Sequence, residues 1–508
     1  MNTVKEIKRA LISVYYKDGL EEIVKILNEN GVEILSTGGT YDFLKGMGVN
    51  VKTVESVTGY PSILGGRVKT LHPKVFGGIL NRRDHGQDQQ EIAEYEIPSI
   101  DLVIVDLYPF EEYVAAKASH EDIIEKIDIG GISLIRGAAK NYNDVVIIPS
   151  KDSYQPLLDI LKENGCKTTL EQREYFAAQA FLVSSHYDTA IFNYFNGKFN
   201  IPAFKKSELN SKALRYGENP HQKGVYFGSE NSLPKQLHGK EISHNNLLDI
   251  EAAVELISDF TDTTVAIIKH NNAYGCASDA DLVKAWEKAL AGDPVSAFGG
   301  IIVTNKEIDK ATAEQMNTIF FEVVIAPGYT AEALEILKTK KNRIILENKQ
   351  TKPTDVKFRS LLGGVLVQER DAYVEKPEDL KPATNKQPKP EEIEDLIFAN
   401  KLVKHTKSNA IVLAKGKQLL ASGTGQTSRV DALRQAIAKA KSFNFSLEGA
   451  VMSSDAFFPF ADCVEIAAKE GIKTVIQPGG SIRDNESIEF CNNNDVAMVI
   501  TGIRHFKH

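Results

Sequence analysis

The 508 residues suffice for two to four domains, and a hydrophobic content of 42% with 25% charged residues is that of a globular protein rather than a disordered chain. A net charge of -8 excludes a broad basic surface for nucleic acid, while local basic pockets for phosphates stay compatible with it. We find no signal peptide, no run of roughly 20 apolar residues and no zinc spacing among the cysteines, so we expect a cytoplasmic protein with free thiols and no membrane partner.

The first 148 residues alternate apolar strand patterns with amphipathic helix patterns. Leu20, Ile23 and Leu27 fall on one face of a helix, and a second helical pattern begins at Tyr41. Strands are predicted at residues 10–14, 32–35, 102–105 and 145–148. This β-α-β order predicts a doubly wound parallel sheet covered by helices on both faces, with a site at the carboxyl ends of its strands.

A helical region at residues 150–196 follows, and its aromatic-rich run is typical of a packed helix at an interface. Residues 196–204, NGKFNIPAF, then favour a linker. We therefore place a domain boundary between residues 196 and 197.

The remaining residues contain a weak internal repeat. VSAFGGIIV at residue 295 precedes VVIAPG at residue 323, as SSDAFFPF at residue 453 precedes TVIQPGG at residue 474. Two copies of one α/β unit, at about 197–375 and 392–508, would explain this echo, and chance is the alternative. Residues 376–392 between them are rich in Pro, Lys and Glu and predict a solvated connector.

The stretch STGGT, residues 36–40, lies between a predicted strand and a predicted helix. Its glycines allow backbone N–H groups to turn toward an anion, and the helix N-terminus adds positive potential. An ordinary tight turn is the plainer interpretation, since short glycine motifs are weak signals.

Charged side chains occur in two further segments of the first region. Arg67 and Lys69 in GGRVKTLHP suit an anionic substrate, although solvated loops commonly carry such pairs. Asp128, Arg136 and Lys140 lie in the apolar run IDIGGISLIRGAAKN, where a charge is costly unless it is paired or used. Desolvation lowers the pKa of a lysine, which suits proton transfer, and a structural ion pair at the rim of the core is the alternative.

The stretch VAIIKHNN, residues 265–272, places Lys269 and His270 at the end of a buried strand. A desolvated lysine can stabilise a developing oxyanion, and a neutral histidine can remove a proton. His270 alone is more simply explained as a core histidine with satisfied hydrogen bonds. The neighbouring lysine and the amides that follow favour a site.

Polar groups recur in later loops and at later predicted strand ends, where ligand binding and plain solvation are both compatible with the sequence. They are Arg215 and Tyr216 in LRYGENPHQ, Asn409 in SNA, Arg429 in GQTSR, Asp455 and Asp462 in SDAFFPFAD, and Arg504 in the terminal RHFKH.

Taken together, these segments resemble the bifunctional family that joins AICAR transformylase to IMP cyclohydrolase. The matching segments follow the family's order along essentially the whole chain: STGGT, LGGRVKTLHP, LYPF, KIDIGG, RGAAKN, LRYGENPHQ, IKHNN, SAFGG, IAPG, SNA, GQTSR, SDAFFPF and RHFKH. No single segment is specific, whereas the ordered set is.

The resemblance implies a methylglyoxal-synthase-like cyclohydrolase domain at residues 1–196, with a core of about 1–148, and an AICAR transformylase of two cytidine-deaminase-like units at 197–508. It implies formyl transfer from 10-formyltetrahydrofolate to AICAR, and then cyclisation of FAICAR to IMP with loss of water. It also implies a homodimer with the transformylase sites at the interface. The deaminase fold ordinarily carries zinc through a PCxxC signature, which this sequence lacks, so the expected site is metal-free.

For the transformylase, the resemblance implies that His270 is the general base, that Lys269 stabilises the charge formed at the attacked carbon, and that Asn409 helps to orient the substrate and His270. The residues expected around AICAR and the folate are Arg215, Tyr216, Phe298, Gly299, Glu322, Arg429, Phe457, Asp462, Ser481, Ile482 and Arg504.

For the cyclohydrolase, the resemblance implies that Lys140 transfers protons during ring closure. The catalytic residues expected around it are Lys69, Tyr108 and Asp128. The residues expected to hold the nucleotide are Ser13, Lys17, Ser36, Thr37, Gly38, Gly39, Thr40, Arg67, Thr70 and Asp106.

The chain departs from the family pattern at five positions. Tyr15 and Tyr16 stand where small or acidic residues are usual, and Asp106 stands where Asn is common. Ala273 and Tyr274 replace the usual Pro and Cys. We expect the added carboxylate to alter affinity or pH dependence, and the loop after His270 to be less stiff.

Two other functions fit parts of the sequence. A nucleotide deaminase would use the second fold with bound zinc, and the missing cysteine spacing speaks against it. A nucleotide-sensing protein would bind phosphates at STGGT without catalysis, and the Lys269–His270 pair at a strand end speaks against that.

Overall fold

The computed structural model describes residues 4–349 and 352–508. The chain divides into two compact units, one ending at Leu209 and one comprising Asn210–His508. Each unit has its own hydrophobic core.

The first unit is built on a parallel sheet. Its strands are β1 (Lys5–Glu6), β2 (Arg9–Ser13), β3 (Glu33–Ser36), β4 (Val51–Thr53), β5 (Leu102–Val105), β6 (Val146–Ile148) and β7 (Lys167–Thr168). Within the described residues, five of them form a sheet of order β4-β3-β2-β5-β6 in which every pair is parallel. The predicted doubly wound parallel sheet is confirmed, because fully apolar strands such as β5 are buried on both faces.

Helices connect these strands and cover the sheet. They are α1 (Glu21–Glu29), α2 (Gly38–Gly46), α3 (Val54–Thr58), α4 (Pro73–Leu80), α5 (Gly86–Glu94), α6 (Phe110–Ala115), α7 (His120–Glu125), α8 (Gly130–Lys140), α9 (Tyr154–Asn164) and α10 (Leu170–Phe199). The apolar stripe of α1 is buried as predicted, through Ile23, Val24 and Leu27. Helix α10 continues through the first four residues of NGKFNIPAF and ends at Asn200, whose φ is +52°, so the predicted linker begins inside a helix.

The second unit contains sixteen described strands, twelve of which form one long mixed sheet. Its strands are β8 (Ser211–Leu214), β9 (Gly224–Phe227), β10 (Lys235–His238), β11 (Thr264–Lys269), β12 (Asn272–Ser278), β13 (Ile301–Thr304), β14 (Val323–Ala326), β15 (Ile344–Glu347), β16 (Val356–Leu361), β17 (Gly364–Glu369), β18 (Lys381–Pro382), β19 (Ile411–Lys415), β20 (Gln418–Gly423), β21 (Val451–Ser454), β22 (Thr474–Gln477) and β23 (Ala497–Ile500). Its helices are α11 (His244–Ile257), α12 (Leu282–Gly292), α13 (Lys310–Met316), α14 (Ala331–Lys338), α15 (Pro390–Lys404), α16 (Arg429–Ser442), α17 (Asp462–Lys469) and α18 (Asp484–Asn493).

The strand order reveals an internal duplication. In the described part of this unit, twelve strands follow the order β10-β15-β14-β13-β11-β12-β20-β19-β21-β22-β23-β18. Each half consists of a helix, an antiparallel hairpin, a helix and three strands that run parallel with helices between them. The two halves join where β12 pairs with β20. Two copies of one α/β unit are therefore present, as the sequence echo predicts.

The echo itself is only partly correct. VVIAPG and TVIQPGG are equivalent, since β14 and β22 occupy the same place in the two halves and both end before Pro-Gly. SAFGG, however, precedes β13, whereas DAFFPF follows the equivalent strand β21. Residues 376–392 are also more than a solvated connector, because they supply β18, which pairs with β23 at the edge of the sheet.

Candidate functional site

The first unit holds a cavity of about 690 Å³ at the carboxyl ends of β2, β3 and β5. This is where ligand sites form in open parallel sheets. The predicted residues that line it are Ser13, Lys17, Thr37, Gly39, Thr40, Arg67, Lys69, Thr70, Asp106, Tyr108 and Asp128. The structure therefore gathers most of the cyclohydrolase residues that the sequence predicts.

Three predicted residues do not line this cavity. The Ser36 side chain is buried, and its hydroxyl donates to the Ile12 carbonyl at 2.7 Å. Gly38 lies beside the lining without joining it. Lys140 is an exposed residue at the last position of α8, whereas the cavity meets the first half of that helix, at Gly130, Gly131 and Leu134. A helix rises about 1.5 Å per residue, so Lys140 lies apart from the predicted residues that line the cavity.

The loop before α2 has the features of an anion site. Thr37 is buried at the N-cap position, and its hydroxyl has no hydrogen-bond partner among the described residues. Gly38 has a φ of +54°, and a Cβ built there would lie 3.5 Å from the Lys69 ammonium nitrogen. Lys69 thus lies directly at the helix N-terminus. Its ammonium and the positive end of the helix dipole both favour an anion there. The Thr40 hydroxyl, in contrast, is already used, because it donates to the Val14 carbonyl at 2.9 Å.

Two buried carboxylates face the same cavity. Asp106 accepts hydrogen bonds from the backbone N–H groups of Tyr15 and Tyr16. Asp128 accepts from the Gly131 N–H at 2.6 Å, at the start of α8. Burial raises the pKa of both carboxyls, although these N–H groups oppose the shift. Asp106 is therefore held by the backbone of Tyr15 and Tyr16, the other two positions in this unit at which we expect a departure from the family pattern.

Tyr108 shares this environment, and burial followed by the nearby Asp128 raises its pKa. The phenol consequently keeps its proton at neutral pH.

Lys126 also lines the cavity, and the sequence reasoning missed it. Its ammonium lies 4.6 Å from the centre of the Tyr113 ring and 6.0 Å from the ring centres of Tyr15 and Tyr108. Such placement over aromatic faces stabilises a cation. The available signal was its position two residues before Asp128 in KIDIGG.

The second candidate site surrounds the turn between β11 and β12. Lys269 pairs with Asn272, so His270 and Asn271 are the two central residues of a hairpin turn, with φ values of +53° and +62°. Positive φ at both positions is the type I′ geometry, which favours Asn and Gly. His270 is exposed and not a core histidine, while the Lys269 ammonium donates to the Phe298 carbonyl at 3.0 Å.

Ala273 and Tyr274 belong to β12 and not to a loop. The expected loop is therefore a strand, in which Ala273 pairs with Ile268 of β11 and Tyr274 occupies a bulge between that pair and the pair of Gly275 with Ile267. The Tyr274 ring lies under the Lys439 ammonium at 4.4 Å.

The turn contacts the segment that carries Asn409. The Asn272 side chain donates to the His270 carbonyl at 2.8 Å and accepts from the Lys407 N–H at 3.1 Å. Asn409 accepts from the Arg429 guanidinium at 2.9 Å. That guanidinium is paired with the buried carboxylate of Asp455 at 2.8 Å.

Three more predicted residues adjoin the turn. Phe298 supplies the carbonyl that binds Lys269, and its exposed ring lies 5.0 Å from that of Phe320. Gly299 follows with a φ of +75°. Glu322 accepts from the Asn246 amide at 3.2 Å on α11, the helix that also carries Asp249. Burial raises the pKa of Asp249, opposed by the Asn271 N–H and by His270.

The remaining predicted residues lie elsewhere in this unit. Among the residues that the structure describes, no hydrogen bond or ion pair joins them to Lys269 or His270. They are Arg215 and Tyr216 in the β8–β9 loop, Phe457 and Asp462 after β21, Ser481 and Ile482 after β22, and Arg504 after β23.

The described residues offer neither a metal site nor a membrane-spanning helix. Within residues 4–349 and 352–508, no group of three or more His, Cys, Asp or Glu side chains is arranged to hold a metal ion. No helix in those same ranges has the length and apolar character needed to cross a membrane.

Comparison with known proteins covers the whole chain. The family model described as AICARFT/IMPCHase bienzyme matches residues 138–439, and that of the MGS-like domain matches residues 19–133. The bifunctional purine biosynthesis protein PurH of Bacteroides thetaiotaomicron is 65% identical over 100% of both chains. PurH of Aquifex aeolicus is 48% identical over 98% of this chain and 100% of its own. The crystal structure of ForH is 36% identical over 37% of this chain and 98% of its own, with a TM-score of 0.33, too low to bear on the fold.

These matches extend over both units, and one relative is 65% identical over its full length, which is ample to place two proteins in one family. The chain therefore belongs to the AICARFT/IMPCHase bienzyme family, and it is a bifunctional purine biosynthesis enzyme with AICAR transformylase and IMP cyclohydrolase activities.

Proposed function

We propose that the turn at His270 transfers a formyl group from 10-formyltetrahydrofolate to the 5-amino group of AICAR, and that the cavity of the first unit closes the FAICAR product to IMP. The observation that carries this proposal is an exposed imidazole beside an ammonium, in a turn whose backbone favours glycine. A side chain held at such a position without packing is better explained by chemistry than by folding.

Formyl transfer needs a base, because the electrons of the AICAR amine are drawn into its ring. His270 takes the amine proton as the nitrogen attacks the formyl carbon. The bond from that carbon to the folate nitrogen then breaks, and the folate nitrogen receives a proton. The Lys269 ammonium stabilises the oxyanion that forms meanwhile, and Asn409 orients the substrate.

The other predicted transformylase residues bind the two substrates. Arg429 is already paired with buried Asp455, so we assign it the support of Asn409. We assign binding of AICAR or the folate to Arg215, Tyr216, Phe298, Gly299, Glu322, Phe457, Asp462, Ser481, Ile482 and Arg504.

Ring closure joins the carboxamide nitrogen to the formyl carbon and releases water, so positioning and proton transfer suffice. The substrate phosphate binds at the N-terminus of α2, where Lys69 and the unpaired Thr37 hydroxyl lie. The Asp128 carboxylate takes a proton from the carboxamide nitrogen and returns it to the departing hydroxyl, a role that its raised pKa suits, while the Tyr108 phenol keeps its proton and donates a hydrogen bond. These groups replace Lys140 in the mechanism.

We further propose that the two copies in the second unit are cytidine-deaminase-like, that the protein is a cytoplasmic homodimer, and that the transformylase sites lie at its interface. The resemblance of the ordered motifs supports these points. Analytical ultracentrifugation tests the assembly, for which a single species of about twice the 56.1 kDa chain mass is expected.

A paired mutation tests the division of labour. His270→Ala should lower formyl transfer by about 100- to 10,000-fold and leave cyclisation of supplied FAICAR within about twofold, because the base is lost from one site only. Asp128→Asn should do the reverse. Both reactions are followed by absorbance. Loss of both activities in either variant would contradict the proposal.

A further inference from the structure

The C-terminal segment, residues 501–508 after β23, is anchored by one buried histidine. The His505 side chain is only 2% exposed. Its Nδ1 lies 2.6 Å from an Asp371 carboxylate oxygen, and its Nε2 lies 2.8 Å from a Glu375 carboxylate oxygen. Both carboxylates accept hydrogen bonds, so both ring nitrogens donate only in the imidazolium form.

The charge on this imidazole is stabilised locally. Burial alone lowers the pKa of His505, but the hydrogen bonds to Asp371 and Glu375 outweigh it and raise the pKa to about 9. The other charged groups packed around the segment pair mostly with one another. They are Lys404 and His405 with Asp259, Lys357 with Glu255, and Lys507, whose ammonium donates to the His405 carbonyl.

The anchored segment contacts both sides of the Asn409 region. The His505 N–H donates to the Asp455 carbonyl at 3.0 Å, and the Asp455 carboxylate pairs with Arg429, which donates to Asn409. Two residues on, the Lys507 carbonyl accepts from the Ser408 N–H at 2.9 Å, and the Lys507 N–H donates to the Ser408 hydroxyl at 3.0 Å.

We propose that His505 is a positioning residue for formyl transfer: its imidazolium latches the C-terminal segment to Asp371 and Glu375, and that segment fixes Asn409 and Arg429. This role rests on the function proposed above for the second unit. His505 itself touches neither the substrate nor the reacting atoms.

The latch has a defined pH range. A folded-state pKa raised to about 9 means that the charged latch stabilises the segment fully below the unfolded pKa of about 6.5, and that this stabilisation is lost as the pH rises through 9. Formyl transfer should therefore fall near pH 9, whereas cyclisation in the first unit should not share that fall.

The experiment compares kcat/KM of both reactions from pH 6.5 to 10 in the full chain and in three variants. His505→Gln should lower formyl transfer about 10-fold at pH 7.5 and lack the alkaline fall. Asp371→Asn removes one of the two carboxylates that bind His505, on a side chain that is 44% exposed. It should lower by about one pH unit the pH at which formyl transfer declines. Glu378→Gln, an exposed control three residues after Glu375, should behave as wild type. Wild-type profiles for both latch variants would overturn the proposal.

Hydrogen exchange separates the latch from the reaction it serves. The Ser408 and Lys507 amides should exchange at least about 10-fold faster in His505→Gln, because their mutual hydrogen bonds open. Unchanged protection overturns the latch. If His270→Ala retains formyl transfer while this exchange still depends on His505, the proposed function fails and the latch itself is supported.

Discussion

The two halves of the second unit carry the same hairpin turn with different side chains. The β11–β12 turn contains His270 and Asn271, with φ values of +53° and +62°, and the β19–β20 turn contains Gly416 and Lys417, with +58° and +52°. Glycine adopts this geometry freely, whereas another residue loses roughly 1–2 kcal/mol. The second copy thus shows what the fold needs, and the imidazole of the first copy is an addition that the fold does not require.

The lysine before the turn, in contrast to the histidine, makes the same contact in both copies. Lys269 donates to the Phe298 carbonyl at 3.0 Å, and Lys415 donates to the Glu448 carbonyl at 2.7 Å. Each acceptor lies three residues before the next strand, β13 or β21. This hydrogen bond belongs to the repeat, so Lys269 supports the fold as well as the proposed site, and its removal is a less clean test than removal of His270.

The sharpest way to test this comparison is to move the glycine of the second copy into the first. His270→Gly should lower formyl transfer by about 100- to 10,000-fold, since the base is lost, while raising the free energy of unfolding by about 1 kcal/mol. Coupled assays and urea unfolding measure the two effects. A stable variant with normal formyl transfer would show that the histidine is incidental.

The two copies also differ after β13 and β21. Asn305 in the first copy donates to the carbonyls of Phe260 and Asp262, whereas Asp455 in the second is fully buried against Arg429. Arg429→Met should lower the free energy of unfolding by about 3–5 kcal/mol, because it leaves that carboxylate unpaired. The control Arg434→Met removes an exposed pair with Asp431 and should cost at most about 1 kcal/mol. Equal losses in urea unfolding would contradict the ion-pair argument.

The first unit offers an independent check that the activities separate. A Cβ on Gly131 would lie 2.5 Å from the Asp128 carboxylate, so Gly131→Ala should displace that group and slow FAICAR cyclisation about 100-fold. Gly137→Ala lies in the same helix, where the nearest atom to the new Cβ is 3.5 Å away, and should leave both activities intact. Formyl transfer serves as the internal reference, and its loss in Gly131→Ala would argue against separate sites.

The smallest expected effect lies in the second hairpin. No atom lies within 4 Å of a Cβ built on Gly416, so Gly416→Ala introduces backbone strain alone. We expect a loss of about 1 kcal/mol in unfolding free energy, with both activities within about twofold. A larger fall in formyl transfer would mean that the two turns are not functionally distinct.

The sequence alone determined the layout of the first unit and indicated Lys269 and His270 as a second candidate site. Apolar runs such as residues 102–105 predict buried strands, and the stripe of Ile23 and Leu27 predicts a helix, because both patterns depend on local periodicity. The duplication was visible through the Pro-Gly strand ends. The cavity is lined by most of the cyclohydrolase residues that the ordered motifs predict, although Lys126 and several other lining residues were not among them.

Only the tertiary structure decided which of these residues meet. Asp128 and Lys140 are both charges in one apolar run, yet α8 presents its beginning to the cavity and carries Lys140 away at its end. The carboxylates that bind His505 lie more than 100 residues earlier in the chain, and the apparent connector pairs as β18. Local periodicity fixes an element, but the direction of a helix and contacts over long separations depend on how the elements pack.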